Sequence, residues 1–213
     1  MKIMLIKEEK ALVFAFFLSS LILVSVPLCA QAGESEVQRL LDTNACPDCD
    51  LDGANLSGAN LLGADMRGVN LRKASLAGAS VSGANLKGAD MRDTDFTGAI
   101  LGGADMTDAK LSGARLEDAY LTRASLERAV LDGAHLARAH LDNVNLDGAS
   151  LIGADLREAD LYSARFFFAN LSDVRLQGAD MNSADFGEAI MDGVVTNAES
   201  VCPDRTQGPC DWN

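Results

Sequence analysis

Ala54-Asn55-Leu56-Ser57-Gly58, Ala59-Asn60-Leu61-Leu62-Gly63 and Ala64-Asp65-Met66-Arg67-Gly68 are three consecutive blocks of one five-residue pattern. An apolar centre recurs at every fifth position from Leu51 through Leu56, Leu61 and Met66 to Phe186 and Met191, and the register never slips. Two residues before the centre stands Ala, with exceptions such as Val69, Thr94, Val144 and Val174. Two residues after it Gly is favoured, as at Gly53, Gly58 and Gly63. A period of five fits neither the 3.6 of a helix nor the 2 of a strand. It fits a coil in which each block forms one side. Centre and minus-two positions then point the same way from an extended backbone, inward, and the other three positions point out. Gly relieves the backbone at each corner, and the corner leaves room for little more than Ala. Four sides close a square, so residues twenty apart stack.

Here the chain resembles the pentapeptide repeat family, whose consensus is A-(D/N)-L-x-x. Ala59-Asn60-Leu61, Ala154-Asp155-Leu156 and Ala179-Asp180-Met181 match it directly, and the resemblance covers roughly two thirds of the chain. It implies an all-β fold, the right-handed quadrilateral β-helix. With roughly seven coils at the ~4.8 Å strand spacing, the rod is expected to be ~35 Å long. A solenoid gains stability from stacking and needs its ends capped.

Composition agrees with such a core. The hydrophobic fraction is 48% but aromatics are 5%, so small and medium side chains must fill the interior by repetition. The net charge of -13 argues against nucleic acid and against an anionic membrane surface, because both need a basic face.

Outward from the repeat lie two different termini. Residues 1–32 read as a secretory signal peptide: Lys2, Lys7 and Lys10, an apolar run over 11–28, then Ala30-Gln31-Ala32 as an A-x-A cleavage site, with the mature chain starting at Gly33. The alternatives are a retained membrane anchor and lipoprotein processing at Cys29. For the former, the apolar run is near the lower limit for a spanning helix. The latter prefers a small residue where Leu28 stands. Residues 33–48 form the N-terminal capping helix and linker. Ser35 and Gln38 make a capping box, and Val37, Leu40 and Leu41 form one apolar stripe. The β-helix occupies 49–195, and residues 196–213, with Trp212, form a C-terminal capping tail.

Signal removal leaves Cys46, Cys49, Cys202 and Cys210, an even set that suits disulfides in an exported chain. Cys202 pairs naturally with Cys210. Cys46-Pro47-Asp48-Cys49 has the spacing of half a zinc site, but the other two cysteines lie at the far end of the rod. A local disulfide or a buried thiol remains open for this pair.

No constellation of residues here carries catalysis, and no cofactor or metal is expected. His135 and His140 occupy outward positions on neighbouring sides, in columns that diverge. Arg115, Arg123, Arg128 and Arg138 form a basic cluster that reads as a solvated face pairing with nearby acids. The one blemish is Phe166-Phe167-Phe168. Phe166 is a centre, whereas Phe167 and Phe168 should point outward with Tyr162 on the adjoining side. Either they form a contact surface for a protein partner or the tail folds back over them.

The resemblance implies a non-enzymatic, exported scaffold or interaction protein. Similar proteins with signal peptides are abundant in cyanobacteria, and the implied location is the periplasm or thylakoid lumen, with no membrane association after cleavage. The alternative it carries is an acidic rod that mimics DNA and inhibits DNA gyrase. Against that stand the export signal, the lack of loop insertions, and a Cys- and Pro-containing tail where a dimerising helix would be.

Overall fold

The computed structural model describes residues 28–210, with side chains from residue 36. The predicted signal peptide therefore lies almost wholly outside the described residues, as does Trp212. Helix α1, Leu28–Thr43, is followed by the coil. Isolated parallel bridges join residues twenty apart, from Ala45↔Asp65 to Arg175↔Val195, one in every five residues. No longer strand exists among the described residues. The sides are thus shorter than the extended segments the sequence led one to expect, because a β-turn takes the two residues after each centre.

The bridge columns define four sides: the first through residues 45, 65 and 85, the second through 50, 70 and 90, the third through 55, 75 and 95, the fourth through 60, 80 and 100. Backbone bookkeeping explains why five residues suffice. Leu51 N–H donates to Asn70 O at 2.7 Å and Gly53 N–H to Arg72 O at 2.8 Å, both on the next coil. Ser75 N–H returns to Ala54 O at 2.8 Å, and Ala54 N–H closes the turn on Leu51 O at 3.0 Å. One donor per block remains, that of the residue just after the centre. The Asn or Asp just before the centre takes it with its side chain, as Asn55 does for Ser57 at 3.1 Å and Asp160 for Tyr162 at 3.1 Å. This is an Asx-type contact, and it gives the middle letter of the A-(D/N)-L pattern a backbone role.

Each turn needs positive φ at its third residue. Gly133 meets that need at φ 64°, but Lys73, Arg123, Arg138 and Phe168 hold φ between 55° and 60° at the same place. Inter-coil hydrogen bonds from these residues offset a left-handed cost of about 1 kcal/mol each. Inside, the centres and the minus-two alanines are buried almost without exception from residue 61 to 181. Thr94, in a minus-two slot, donates to Leu71 O at 2.6 Å and so is satisfied there. Phe166 stacks on Phe186 at 4.7 Å within the first side.

Both ends differ from expectation in detail. Helix α1 begins before Ser35, so Ser35 is an interior helical residue rather than the N-cap; Gln38 donates to Asp42 at 2.8 Å. Nothing in residues 28–34 except Gly33 opposes helix propagation. Leu40 is buried and Val37 packs on the core, whereas Leu41 is exposed. Asn44, at φ 55°, ends the helix by donating its N–H to Leu40 O at 2.8 Å. Bridging then starts at Ala45, four residues earlier than the repeat pattern indicated. At the other end the step becomes twenty-one, Asp180↔Val201. Buried Ser200 fills the bulge: its hydroxyl donates to Leu176 O at 3.0 Å and, with Asn197, accepts from Gly178 N–H.

Leu121 is fully buried, whereas Thr122 makes one outward hydrogen bond to Asp142 at 2.6 Å. Leu121→Ala is expected to cost about 2–5 kcal/mol and Thr122→Ala about 1 kcal/mol, read as melting temperatures by circular dichroism. Equal losses would refute this register.

Candidate interaction surface

Outward positions follow from the coil: the residue before each centre and the two after it. Phe167 and Phe168 occupy both turn positions of one block on the first side. Their rings lie 4.3 Å apart at 60°, and Phe168 is 64% exposed. The described part of the tail therefore does not cover them. Phe167 leans onto the next coil at Gly187, where a Cβ would come within 2.8 Å of the ring. Gly187 has ordinary φ, so its value there is space rather than backbone freedom. Tyr162, also exposed, stands on the adjoining fourth side rather than beside Phe168.

The remaining sequence candidates resolve as surface chemistry. His135 and His140 are exposed on different sides, and His140 stacks on Tyr120 at 4.6 Å and 8°. Arg128 pairs with Asp108 and Arg138 with Asp118, both at 2.8 Å from one coil to the next, and Arg115 lies 3.7 Å from Glu117. Arg123 is exposed at its corner. Such exposed pairs contribute little individually. Among the described residues, no three His, Cys, Asp or Glu side chains are grouped to hold a metal ion.

The cysteines fall into two pairs at opposite ends. Cys46 is an inward centre and Cys49 an inward minus-two residue of the same turn, with Pro47 and Asp48 at the corner. Cys49 N–H donates to Cys46 O at 3.4 Å, and a disulfide joins the two across the base of that turn, Cα to Cα 5.5 Å. Cys202 takes the centre of the last block and is bonded to Cys210 of the tail, also with 5.5 Å between Cα atoms. Cys210 N–H is held by Thr196 Oγ1 at 3.0 Å.

One site was missed by the sequence reading. Asp155, 5% exposed, accepts from Arg157 through Nε and a terminal nitrogen, both at 2.7 Å, and from Arg175 one coil on at 3.0 Å. Hydrogen bonds from Arg157, then the charge of Arg175, hold its carboxyl below the usual range. The recurring Asp-x-Arg spacing at 65–67, 90–92 and 155–157 was the available signal.

The model of the family described as Pentapeptide repeats matches in eight copies, over residues 49–88, 89–128, 124–162 and 159–195. Among solved structures, a trypsin-treated form of QnrB1, a plasmid-mediated fluoroquinolone resistance protein, is 18% identical, with TM-score 0.59, over 72% of this chain and 82% of that one. HetL, a pentapeptide repeat protein involved in heterocyst differentiation regulation in the cyanobacterium Nostoc, is 28% identical over 81% of this chain and 98% of its own, with TM-score 0.41. A pentapeptide repeat protein of the Arabidopsis thaliana thylakoid lumen is 32% identical over 51% of this chain and 65% of its own, with TM-score 0.26. No curated protein matches this chain.

A carboxyl held low in the folded state stabilises it above the unfolded value of about 3.9, and that contribution is lost as pH falls through the folded value. Thermal melts between pH 7 and pH 2 are expected to show Asp155→Asn less stable than wild type at pH 7, with the gap closing below about pH 4. A gap independent of pH would refute the electrostatic role of Asp155.

Proposed function

The chain belongs to the pentapeptide repeat family, and from that membership we propose that it is a non-enzymatic, exported rod whose work is to hold a protein partner. Its coil is right-handed, and its parts are a cleaved leader over 1–32, a capping segment over 33–48, the β-helix over 49–195 and a closing tail over 196–213. The observation that carries the reading is the exposed Phe167 and Phe168 pair on a rod whose surface is otherwise mainly polar. Exposed aromatic anchors of this kind are what protein interfaces bury at their centres. Two disulfides, one at each end, fit an oxidising compartment such as the periplasm or thylakoid lumen. The uninterrupted register offers no loop insertion on which a reaction site could be built.

Intact mass spectrometry of the protein recovered from fractionated native cells tests compartment and thiol state together. The expected species begins at Gly33 and is four hydrogens lighter than the reduced chain. A full-length mass in the cytosolic fraction would overturn export and make inhibition of gyrase supercoiling the next measurement. In the exported fraction, Phe167→Ser with Phe168→Ser is expected to abolish chemical cross-linking to the partner; an unchanged cross-link pattern would remove these two residues from the interface.

A further inference from the structure

The fourth side of the coil differs from the other three. Between residues 60 and 122 its outward positions carry no carboxylate and no cation. Arg123 stands just beyond, at the corner that edges the strip. The other sides are charged over the same coils, with Asp65 and Arg67 on the first, Asp90 and Arg92 on the second, Asp95 and Arg115 on the third. On this uncharged strip Leu62, Ile100 and Tyr120 are exposed, and Tyr162 continues the line. The carboxylates of this side, Asp142, Asp160, Asp180 and Asp204, all fall in its second half.

We propose that two copies of this chain associate through their fourth sides, antiparallel, about a twofold axis passing through Tyr120 and Thr122. The charge pattern selects this partner and this orientation. A chain of net charge -13 repels its own copy, and like charges brought together at an interface disfavour it. Antiparallel pairing about Tyr120 sets each coil of one copy against the coil equally far beyond the axis in the other. Asp142 then faces Gly102, Asp160 faces Ser80 and Asp180 faces Asn60, while Asp204, one coil further on, lies past residue 60 of the other copy; no carboxylate of this side meets another, and Arg123 meets its own copy only at the edge of the strip. Parallel alignment in register would instead gather the carboxylates of both copies in the same half of the interface.

Shape follows the same pairing. Ser82 is small where the facing Tyr162 is large, and Ile100 faces His140. Tyr120 meets its own copy at the axis, as an isologous contact requires. The strip measures roughly 35 Å by 10 Å, so the pair would cover about 700 Å² in total, well under the ~1,600 Å² of a standard stable interface. The dimer is accordingly weak and concentration-dependent. Phe167 and Phe168, on the first side, take no part, so the association goes beyond the partner-binding role and does not depend on it.

Sedimentation velocity of the full chain as recovered after export, run from about 5 to 500 µM, reads this directly. Wild type is expected to shift from monomer to dimer across that range. Tyr120→Asp, which sets two carboxylates together at the axis, should stay monomeric at the highest concentration while keeping its melting temperature within a few degrees. Val130→Asp on the second side and the Phe167→Ser, Phe168→Ser variant should dimerise as wild type does. Wild type that is monomeric throughout would overturn the proposal. So would a dimer that survives Tyr120→Asp, or one lost in either control.

Discussion

The fold rests on the hydrogen bonds between consecutive coils. In each block, three backbone donors reach another coil and one closes the turn. The fifth is left to a side chain where Asn or Asp precedes the centre, as with Asn55 and Ser57. This division works only if every coil contains four blocks of five, because each inter-coil donor of the regular repeat finds its carbonyl nineteen or twenty-one positions away. The buried column of Leu, Met and Phe supplies the hydrophobic stabilisation, but the backbone pairing determines that the column must recur every fifth residue. Where one extra residue enters, before Val201, the pairing is rescued by Asn197 and Ser200 side chains, and the coil ends there.

Much of this was legible in the sequence. Leu51 to Met191 gave the register, and the inward slots for Ala, Val and Thr94 followed from it. Three things were not legible. The residue before each centre was read only as pointing outward; its bond to the backbone appears only with the turn in place. Gly was read as the residue that relieves the corner, yet Lys73 and Arg138 hold the same left-handed geometry, since inter-coil bonds outweigh their modest strain. Helix α1 was placed from a local capping pattern at Ser35, and a run of residues compatible with helix carried it past that point. For the surface, the outward direction of Phe167 and Phe168 was readable from the period, whereas the burial of Asp155 between two guanidinium groups required knowing which residues stack.

The surface chemistry is organised by columns rather than by loops. A side chain at a turn lies against its counterpart one coil away, as Phe167 does on Gly187 and Arg138 does on Asp118. Functional character is therefore a property of a whole side. The first carries the aromatic pair, and the fourth carries the uncharged strip. The disulfide of Cys46 and Cys49 and that of Cys202 and Cys210 bind the two terminal blocks, where a coil has a neighbour on one side only.

The twenty-residue closure also gives the rod a phase. Loss of four whole blocks shortens it by one coil and leaves every later residue on its own side. Loss of a single block keeps every apolar centre pointing inward, yet turns all that follows by a quarter of a revolution. The aromatic pair would then face a different direction relative to helix α1. Length in this protein can thus drift in steps of five without harm to the core, while the bearing of one surface against another is preserved only in steps of twenty.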